Sequence, residues 1–442
     1  MNASIASPHS DDRMTARAVL ITLVCFVISM IDGFDTLMLS FIAPLLAKAL
    51  SIDHATLGRI FGAGFIGTVA GSLLAGPAAD RFGRRPMLIL ALAVTGTFTL
   101  VCAFAHSAST LATLRLIAGL GMGGAIPPLA AITAETGPAK RRSSLVILMF
   151  IGFPLGAVLG GVITAAIMMQ FGWAVVFLMG GTCALTAIAL VFLVIPSIPV
   201  SRVSHRPADG AIGIARKTRV INPFGNLLAD GRCGATLALW CGVLASMILS
   251  GFLVSFMPVI LNLSGVSPEH AALGAVVINV GAIVGALAIS LVVTKVDPFL
   301  PVMLGFLGGA ALVCVLGRVI GSGNLVFMML FAVGGFLVGG QLTFPALASR
   351  LYPKAVRAAG VGWAMAIGRV GSIIGPVVGG IFLAQHWPLE RLFTLASLLA
   401  LIGSASIGAA YLLRPRDRET VFPGKEASHF PAFSLEPHHD EK

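Results

Sequence analysis

Charged residues are scarce in this sequence: Asp, Glu, Lys and Arg account for 11% of its 442 residues, and hydrophobic residues for 57%. Soluble domains carry about a quarter charged residues, so the composition points to lipid as the solvent. Cysteine is scarce too, with six residues and no CxxC pair, which leaves these side chains as small apolar packing groups. The short alternating segments of a membrane β-barrel are also missing. No cofactor motif, metal cluster or catalytic triad is visible, so the sequence does not read as an enzyme.

Long apolar runs take the place of the missing charges. A helix that crosses the hydrocarbon core of a bilayer needs about 20 apolar residues, and the sequence holds twelve such runs. We therefore predict an all-α membrane protein whose twelve transmembrane helices lie at 18–46, 55–78, 86–105, 110–134, 143–168, 172–195, 234–262, 270–294, 299–320, 323–348, 356–384 and 389–413.

The basic residues are distributed unevenly between the two sides of the predicted membrane. The net charge is +11, and 23 of the 29 Lys and Arg residues fall in the two tails, in the even-numbered connections or within two residues of them. Because Lys and Arg accumulate in cytoplasmic loops, this asymmetry predicts a multi-pass protein of the bacterial inner membrane with both termini in the cytoplasm. The positive charge is thus a topology signal and not a surface for nucleic acid.

The longest connection divides the chain into two halves. We predict that this connection, 196–233, is a linker between six-helix bundles at 18–195 and 234–413, and that 1–17 and 414–442 are tails. The glycine run Gly152–Gly161 recurs 219 residues later as Gly371–Gly380, which indicates an internal repeat. Parallel repeats of six spans, with the binding site at their interface, are a known transporter architecture. Glycine at every fourth position also lets a neighbouring helix approach closely.

Few charges fall inside the predicted spans. Asp32 and Asp35 lie in the first, Arg115 in the fourth and Arg369 in the eleventh. A charge at the centre of a membrane costs about 3 kcal/mol even on lenient scales, so each of these residues is a candidate for function.

Asp32 and Asp35 are three residues apart and therefore share a helix face. Two carboxylates held close together in a poorly solvated place cannot both ionise easily, so at least one of them is a candidate proton carrier. The alternative is that the pair caps a helix break near Gly33, or bonds to arginine, without a role in transport.

Arg115 and Arg369 carry a permanent positive charge on a planar group that matches a carboxylate. One of them could neutralise the aspartates while the other receives an anionic substrate. Arg115 lies near the outer end of its span and could instead reach the membrane interface, whereas Arg369 lies about halfway along its span. We predict Arg369 as the anchor for a substrate carboxylate and place Arg115 with the proton-coupling aspartates.

Further polar and aromatic residues in the spans are candidates for binding the rest of a substrate. Trp363 could stack on an aromatic ring, and Asn279 or Gln341 could bond a ring hydroxyl. Each of the three also fits a packing role or a hydrogen bond between helices.

The connection after the second span carries a compact group of charges around a glycine. It includes Asp80, Gly83, Arg84 and Arg85. Glycine permits a tight turn, and Asp80 can pair with arginine or cap a helix. Such a cluster between moving bundles could hold one conformation, whereas a topology signal alone would need only the arginines.

Several of these segments resemble the major facilitator superfamily. The 76–86 segment is similar to its signature between spans two and three, Arg115 through Pro127 to its span-four motif, and Gly152–Gly161 to its span-five glycine motif. The resemblance covers all twelve spans and implies two pseudo-symmetric six-helix bundles that work by alternating access. It also implies a conformational role for Asp80, Gly83, Arg84 and Arg85. The corresponding connection in the second half, 294–297, lacks the full signature.

Within that superfamily, Asp32-Gly33-Phe34-Asp35 and the stretch from Ala348 to Arg369 resemble the aromatic acid:proton symporter family. The resemblance implies import of benzoate, hydroxybenzoates or related phenolic acids by proton symport. It assigns roles in transport to Asp32, Asp35 and Arg369.

Two other functions remain open at the level of the sequence. One is a facilitator for aliphatic organic acids, or an exporter of drugs in exchange for protons. The other is a membrane receptor that binds aromatic acids without transporting them, which would leave the aspartates unexplained.

Overall fold

The computed structural model describes residues 14–136, 138, 141–196, 227–229, 231–293, 295–321, 323–353 and 356–414. These residues form twelve helices long and apolar enough to cross a membrane, and no strand, which confirms the all-α prediction. The helices are α1 (Ala16–Ala49), α2 (His54–Phe82), α3 (Arg84–Cys102), α4 (Ala108–Thr136), α5 (Arg142–Phe171), α6 (Ala174–Val194), α7 (Cys233–Leu263), α8 (Pro268–Val292), α9 (Phe299–Val319), α10 (Asn324–Leu351), α11 (Arg357–Ala384) and α12 (Leu389–Leu413).

Most of the predicted tails, 1–17 and 414–442, and most of the predicted linker, 196–233, lie outside the described residues. Their boundaries therefore stay predictions. Short connections join the other helices, so consecutive helices run in opposite directions. One face of the molecule holds the start of α1 and the end of α12 and is called the terminal face. The opposite face, where α1 ends and α2 begins, is called the distal face.

The glycine repeat packs in the same way in both halves. In the first half, Gly152, Gly156 and Gly160 of α5 lie against Phe26, Met30 and Phe34 of α1. In the second half, Gly371, Gly375 and Gly379 of α11 lie against Leu244, Ile248 and Phe252 of α7. A Cβ atom on Gly156 would lie 1.8 Å from the Met30 carbonyl oxygen, so only glycine allows this approach. The two halves are therefore pseudo-symmetric bundles, as the repeat predicted.

The two bundles meet near the distal face. Gly58 and Gly62 of α2 lie against Pro376 and Val377 of α11. On the other side of the interface, Gly161 of α5 lies against Val276 of α8. These contacts are in the distal halves of all four helices, so the bundles are closed against each other at that face.

Helix α10 is interrupted, although its sequence predicts a continuous span. A π-helical segment, Gly334–Val338, leads into Gly339–Gln341, and regular α-helix resumes only at Phe344. Pro345 lacks the N–H that would bond the Gln341 carbonyl four residues earlier. Thr343 instead donates from its backbone N–H (3.1 Å) and from its hydroxyl (2.6 Å) to the Gly340 carbonyl oxygen. Proline and four closely spaced glycines thus produce a break that hydropathy does not reveal.

Candidate functional site

Asp35 is fully buried inside the first bundle and is held there by two neighbouring helices. The Thr99 hydroxyl of α3 donates a hydrogen bond to its Oδ1 over 2.9 Å. Arg115 of α4 places Nη1 3.6 Å from Oδ2 and donates from Nη2 to the Asp35 backbone oxygen over 3.0 Å. The two charges therefore compensate each other within one bundle.

Arg115 is itself only 4% exposed, and its guanidinium lies over the Phe177 ring of α6 at 5.9 Å. It does not extend to the membrane interface, which was the alternative that the sequence left open. The sequence contained no sign of Thr99, because a threonine in an apolar span usually bonds to its own helix.

Asp32 has a different environment although it is one turn away on the same helix. It is half-buried, and its carboxylate makes no hydrogen bond and no ion pair within the described part of the chain. The charges that act on it electrostatically are Asp35 and, in the other bundle, Arg369. Asp32 is thus the aspartate that faces the space between the bundles.

Arg369 lies on the face of α11 that is turned toward the first bundle. Ile373 and Val377, one and two turns further along this face, contact Gly62 of α2. Among the described residues, the half-buried guanidinium has no hydrogen bond or ion pair, and Asp32 is the carboxylate that acts on it electrostatically. An arginine without a bonded partner, opposite a carboxylate, can accept a second anion.

The two carboxamides predicted as ligand groups differ in their bonding. Asn279 of α8 is buried, and its Nδ2 donates to the Ala275 carbonyl of its own helix over 2.8 Å. Gln341 lies at the break in α10 with its Nε2 against the Met247 sulfur of α7. Its Oε1 is buried and has no hydrogen-bond partner. The Gln341 carboxamide can therefore accept a hydrogen bond at Oε1, whereas the Asn279 carboxamide already donates one within its own helix.

Trp363 is not brought together with Arg369. It packs on Trp240 of α7, with ring centroids 6.2 Å apart. It also lies on the stripe of α11 that exposes Val370, Ile374 and Val378. Six residues along a helix of 3.6 residues per turn amount to a rotation of about 240°. The indole ring therefore faces away from the side of α11 that carries Arg369.

The charge cluster between α2 and α3 separates into individual contacts. Gly83 has φ +97°, a conformation that favours glycine and makes the turn. Arg84 forms an ion pair with Glu135 at the end of α4. Arg85 donates to the Phe192 carbonyl near the end of α6 over 2.9 Å. Asp80 is exposed and joins neither contact.

The corresponding connection in the second half also carries an ion pair, which the sequence did not reveal. Arg414 Nη1 lies 2.7 Å from Asp297 Oδ2, and Asp297 Oδ1 accepts from the Phe299 backbone N–H over 3.2 Å. Arg414 also lies 4.3 Å from the Tyr411 ring centroid. The pair joins the start of α9 to the end of α12, so it fastens the second bundle internally.

Comparison with known proteins gives consistent matches over nearly the whole chain. The family model described as Major Facilitator Superfamily matches residues 25–376 and 239–438. The 4-hydroxybenzoate transporter PcaK of Pseudomonas aeruginosa is 32% identical, over 88% of this chain and 91% of the relative. The gallate transporter of Pseudomonas putida is 31% identical over 88% and 90%. The 3-(3-hydroxy-phenyl)propionate transporter of Escherichia coli is 32% identical over 86% and 90%.

Solved structures show the same fold. A bacterial homologue of the human lysosomal transporter Spinster, in an inward-facing and unoccupied conformation, has a TM-score of 0.71 at 16% identity and covers 91% of this chain and 96% of its own. A D-xylose-proton symporter has a TM-score of 0.69 at 20% identity over 86% and 97%.

Proposed function

Because the chain belongs to the Major Facilitator Superfamily, we propose that it imports small aromatic carboxylates together with protons, by alternating access between its two bundles. The relatives that are 31% to 32% identical over most of their length carry names of transporters for hydroxybenzoate, gallate and hydroxyphenylpropionate. The observation that carries the proposal is that Arg369 and Asp32, in opposite bundles, interact electrostatically, while neither has a hydrogen bond or ion pair among the described residues.

Arg369 anchors the substrate carboxylate. Its planar group can give two parallel hydrogen bonds to a carboxylate, and its partial burial strengthens that attraction relative to water. The surrounding spans are apolar, which suits an aromatic ring. Asn279 and Gln341 remain candidates for polar contacts to the ring. The position of Trp363 does not support the stacking role predicted for it.

Asp32 exchanges the coupling proton, and Asp35 with Arg115 forms the fixed charge pair behind it. Asp35 already has Thr99 and Arg115 as partners, whereas Asp32 faces the same space as the substrate anchor. When Asp32 is protonated, Arg369 lacks its counter-charge and attracts the substrate anion. The proton and the anion therefore enter together, and their combined charge is zero when the bundles close around them.

The terminal face is the cytoplasmic side in this assignment, because most Lys and Arg residues lie there. The contacts between α2 and α11 and between α5 and α8 then close the outer side, which supports an inward-open state. Release into the cytoplasm follows when Asp32 loses its proton and again competes for Arg369.

Uptake into proteoliposomes tests the proposal directly. Labelled 4-hydroxybenzoate and benzoate are supplied outside, with and without an inward proton gradient. We expect accumulation above the outside concentration only with the gradient, and its loss when a protonophore is added. Liposomes that contain an Asp32→Asn variant should exchange substrate without accumulating it. Folded wild-type protein that takes up neither acid would overturn the proposal and direct the search to aliphatic acids or export.

A further inference from the structure

A second polar group lies near the substrate anchor, at the break in α10. Gln341 ends the short helical stretch Gly339–Gln341, which follows the π-helical segment Gly334–Val338, and regular α-helix resumes only at Phe344. Short π-helical segments occur often at functional sites. Interrupted helices in transporters commonly line the binding cavity, because their free backbone groups need partners there.

Gln341 and Arg369 lie at similar depths. Counted from the terminal ends of α10 and α11, the rise of a helix places them about 15 Å and about 18 Å into the molecule. Met247 of α7 connects the two positions. Its sulfur contacts the Gln341 amide and lies 3.6 Å from the Ser372 hydroxyl. The carbon atoms of the Met247 side chain lie against Gly368 and Gly371, on either side of Arg369 in the sequence. One flexible side chain therefore separates the carboxamide from the helix segment that carries the anchor.

The bonding of Gln341 is incomplete. Its Oε1 is buried without a hydrogen-bond partner, and its Nε2 faces sulfur, which is a weak acceptor. A buried amide oxygen without a partner is unfavourable, and methionine adapts easily to a new neighbour. A ligand group that donates a hydrogen bond to Oε1 would therefore be favoured at this position.

We propose that Gln341 determines specificity for the ring, by accepting a hydrogen bond from a hydroxyl group while the carboxylate is held by Arg369. This inference rests on the proposed function and adds a selection between aromatic acids. A ring without a donor leaves Oε1 unpaired in a closed site. Sites with such a polar group reject analogues that cannot satisfy it.

Wild-type protein with a series of substituted benzoates tests the role of the ring donor without a mutation. Initial uptake rates at sub-saturating concentration, in proteoliposomes, are compared for 4-hydroxy-, 3-hydroxy-, 4-amino- and 4-methoxybenzoate and for benzoate. We expect at least one hydroxybenzoate and the amino compound to exceed benzoate by about tenfold or more. Methoxybenzoate should resemble benzoate, because it has no hydrogen to donate. Equal rates for benzoate and all donor compounds would overturn the inference but leave the proposed function intact, whereas no uptake of any acid would overturn both.

The variant Gln341→Met removes the amide at nearly constant size. The ratio of hydroxybenzoate to benzoate uptake should fall to near one. The matched control is Thr343→Val, which removes a hydrogen bond at the same break but keeps the carboxamide, and its ratio should stay at the wild-type value. A ratio that survives in Gln341→Met, or that falls equally in both variants, would contradict a specific role for Gln341.

Discussion

The Ser40 hydroxyl of α1 donates a hydrogen bond to the Val254 carbonyl oxygen of α7 over 2.5 Å, and so joins the two bundles near the distal face. The acceptor is available because Pro258 lacks the N–H that would bond that carbonyl within the helix. The hydroxyl also lies 3.1 Å from the Ser255 carbonyl oxygen. Ser40 is 1% exposed, so this bond must break whenever the bundles part at the distal face.

Ser40→Ala should therefore favour opening of the distal face. Loss of about 1 kcal/mol from one hydrogen bond shifts the equilibrium about fivefold. Spin labels at the exposed residues Arg59 and Gln385, with the native cysteines replaced, report the distance between α2 and α11 across this face. The fraction of long distances should rise in the variant. Ser404→Ala is the control, because Ser404 donates to Met303 within one bundle. An equal rise in the Ser404→Ala control would show that the Ser40 hydrogen bond does not specifically hold the distal face closed.

Asp32→Asn and Asp35→Asn should differ in their effect on stability. Removing the Asp35 charge leaves Arg115 buried without compensation, which costs about 3–5 kcal/mol. Asp32 has no bonded partner to lose, so its variant should unfold near the wild-type temperature and yet fail to accumulate substrate. Thermal unfolding in detergent measures the first effect and uptake the second. The double variant Asp35→Asn/Arg115→Met should recover part of the lost stability. Equal destabilisation by both single variants would contradict the division of roles.

Substitutions of Arg369 should separate charge from geometry. Arg369→Lys keeps the charge but loses the planar pair of donors, and we expect the KM for hydroxybenzoate to rise by about tenfold or more. Arg369→Gln removes the charge and should abolish the preference of the site for a benzoate over the uncharged benzamide. Competition by the two compounds against labelled substrate gives this preference. A preference for the anion that persists in Arg369→Gln would place the anchor elsewhere.

The register of α2 against α11 predicts a contact in the opposite conformation. The helices run antiparallel, with Gly58 near Gly380 and Gly62 near Val377. Continuing this register toward the terminal face brings Asp80 opposite Arg357, at the start of α11. Cysteines at these two positions should cross-link poorly in an otherwise unchanged chain. Cross-linking should increase when Ser40→Ala is added, because we expect that variant to favour closure of the terminal face. No gain in cross-linking with that variant would contradict the predicted approach of position 80 to position 357.

The sequence was sufficient to predict the twelve spans, because each apolar run is long and charges are rare. It also predicted the repeat, because both halves contain a run with glycine at every fourth position. It could not distinguish Asp32 from Asp35. Their side chains point in directions only about 60° apart around the axis of α1. The difference between their environments arises from Thr99 and Arg115, which lie on other helices. The same limit explains the orientation of Trp363, which depends on how α11 is rotated against α7.

The interruption of α10 was also beyond the sequence. Hydropathy is averaged over a whole span, and the 28-residue stretch Asn324–Leu351 is apolar enough to cross a membrane although it contains the four closely spaced glycines and Gln341. Whether glycine and proline break a helix in the membrane depends on neighbours that supply replacement hydrogen bonds. The unpaired Oε1 of Gln341 could not be predicted either, because it depends on the neighbouring Met247 of α7.

The glycine packing relates the halves by offsets of 219 residues for α5 and α11 and 218 for α1 and α7, as in the pairs Gly156 with Gly375 and Met30 with Ile248. By these offsets, the position that corresponds to Arg369 is Phe150, and the one that corresponds to Asp32 is Ser250. Each half thus lacks the charge that the other supplies. Under the proposed mechanism, a tandem of two first halves would contain two copies of Asp32 and no counterpart of Arg369, and a tandem of two second halves would contain two copies of Arg369 and no counterpart of Asp32. The repeat thus gives both halves the same helix packing, whereas the proposed coupling depends on the positions at which the halves differ.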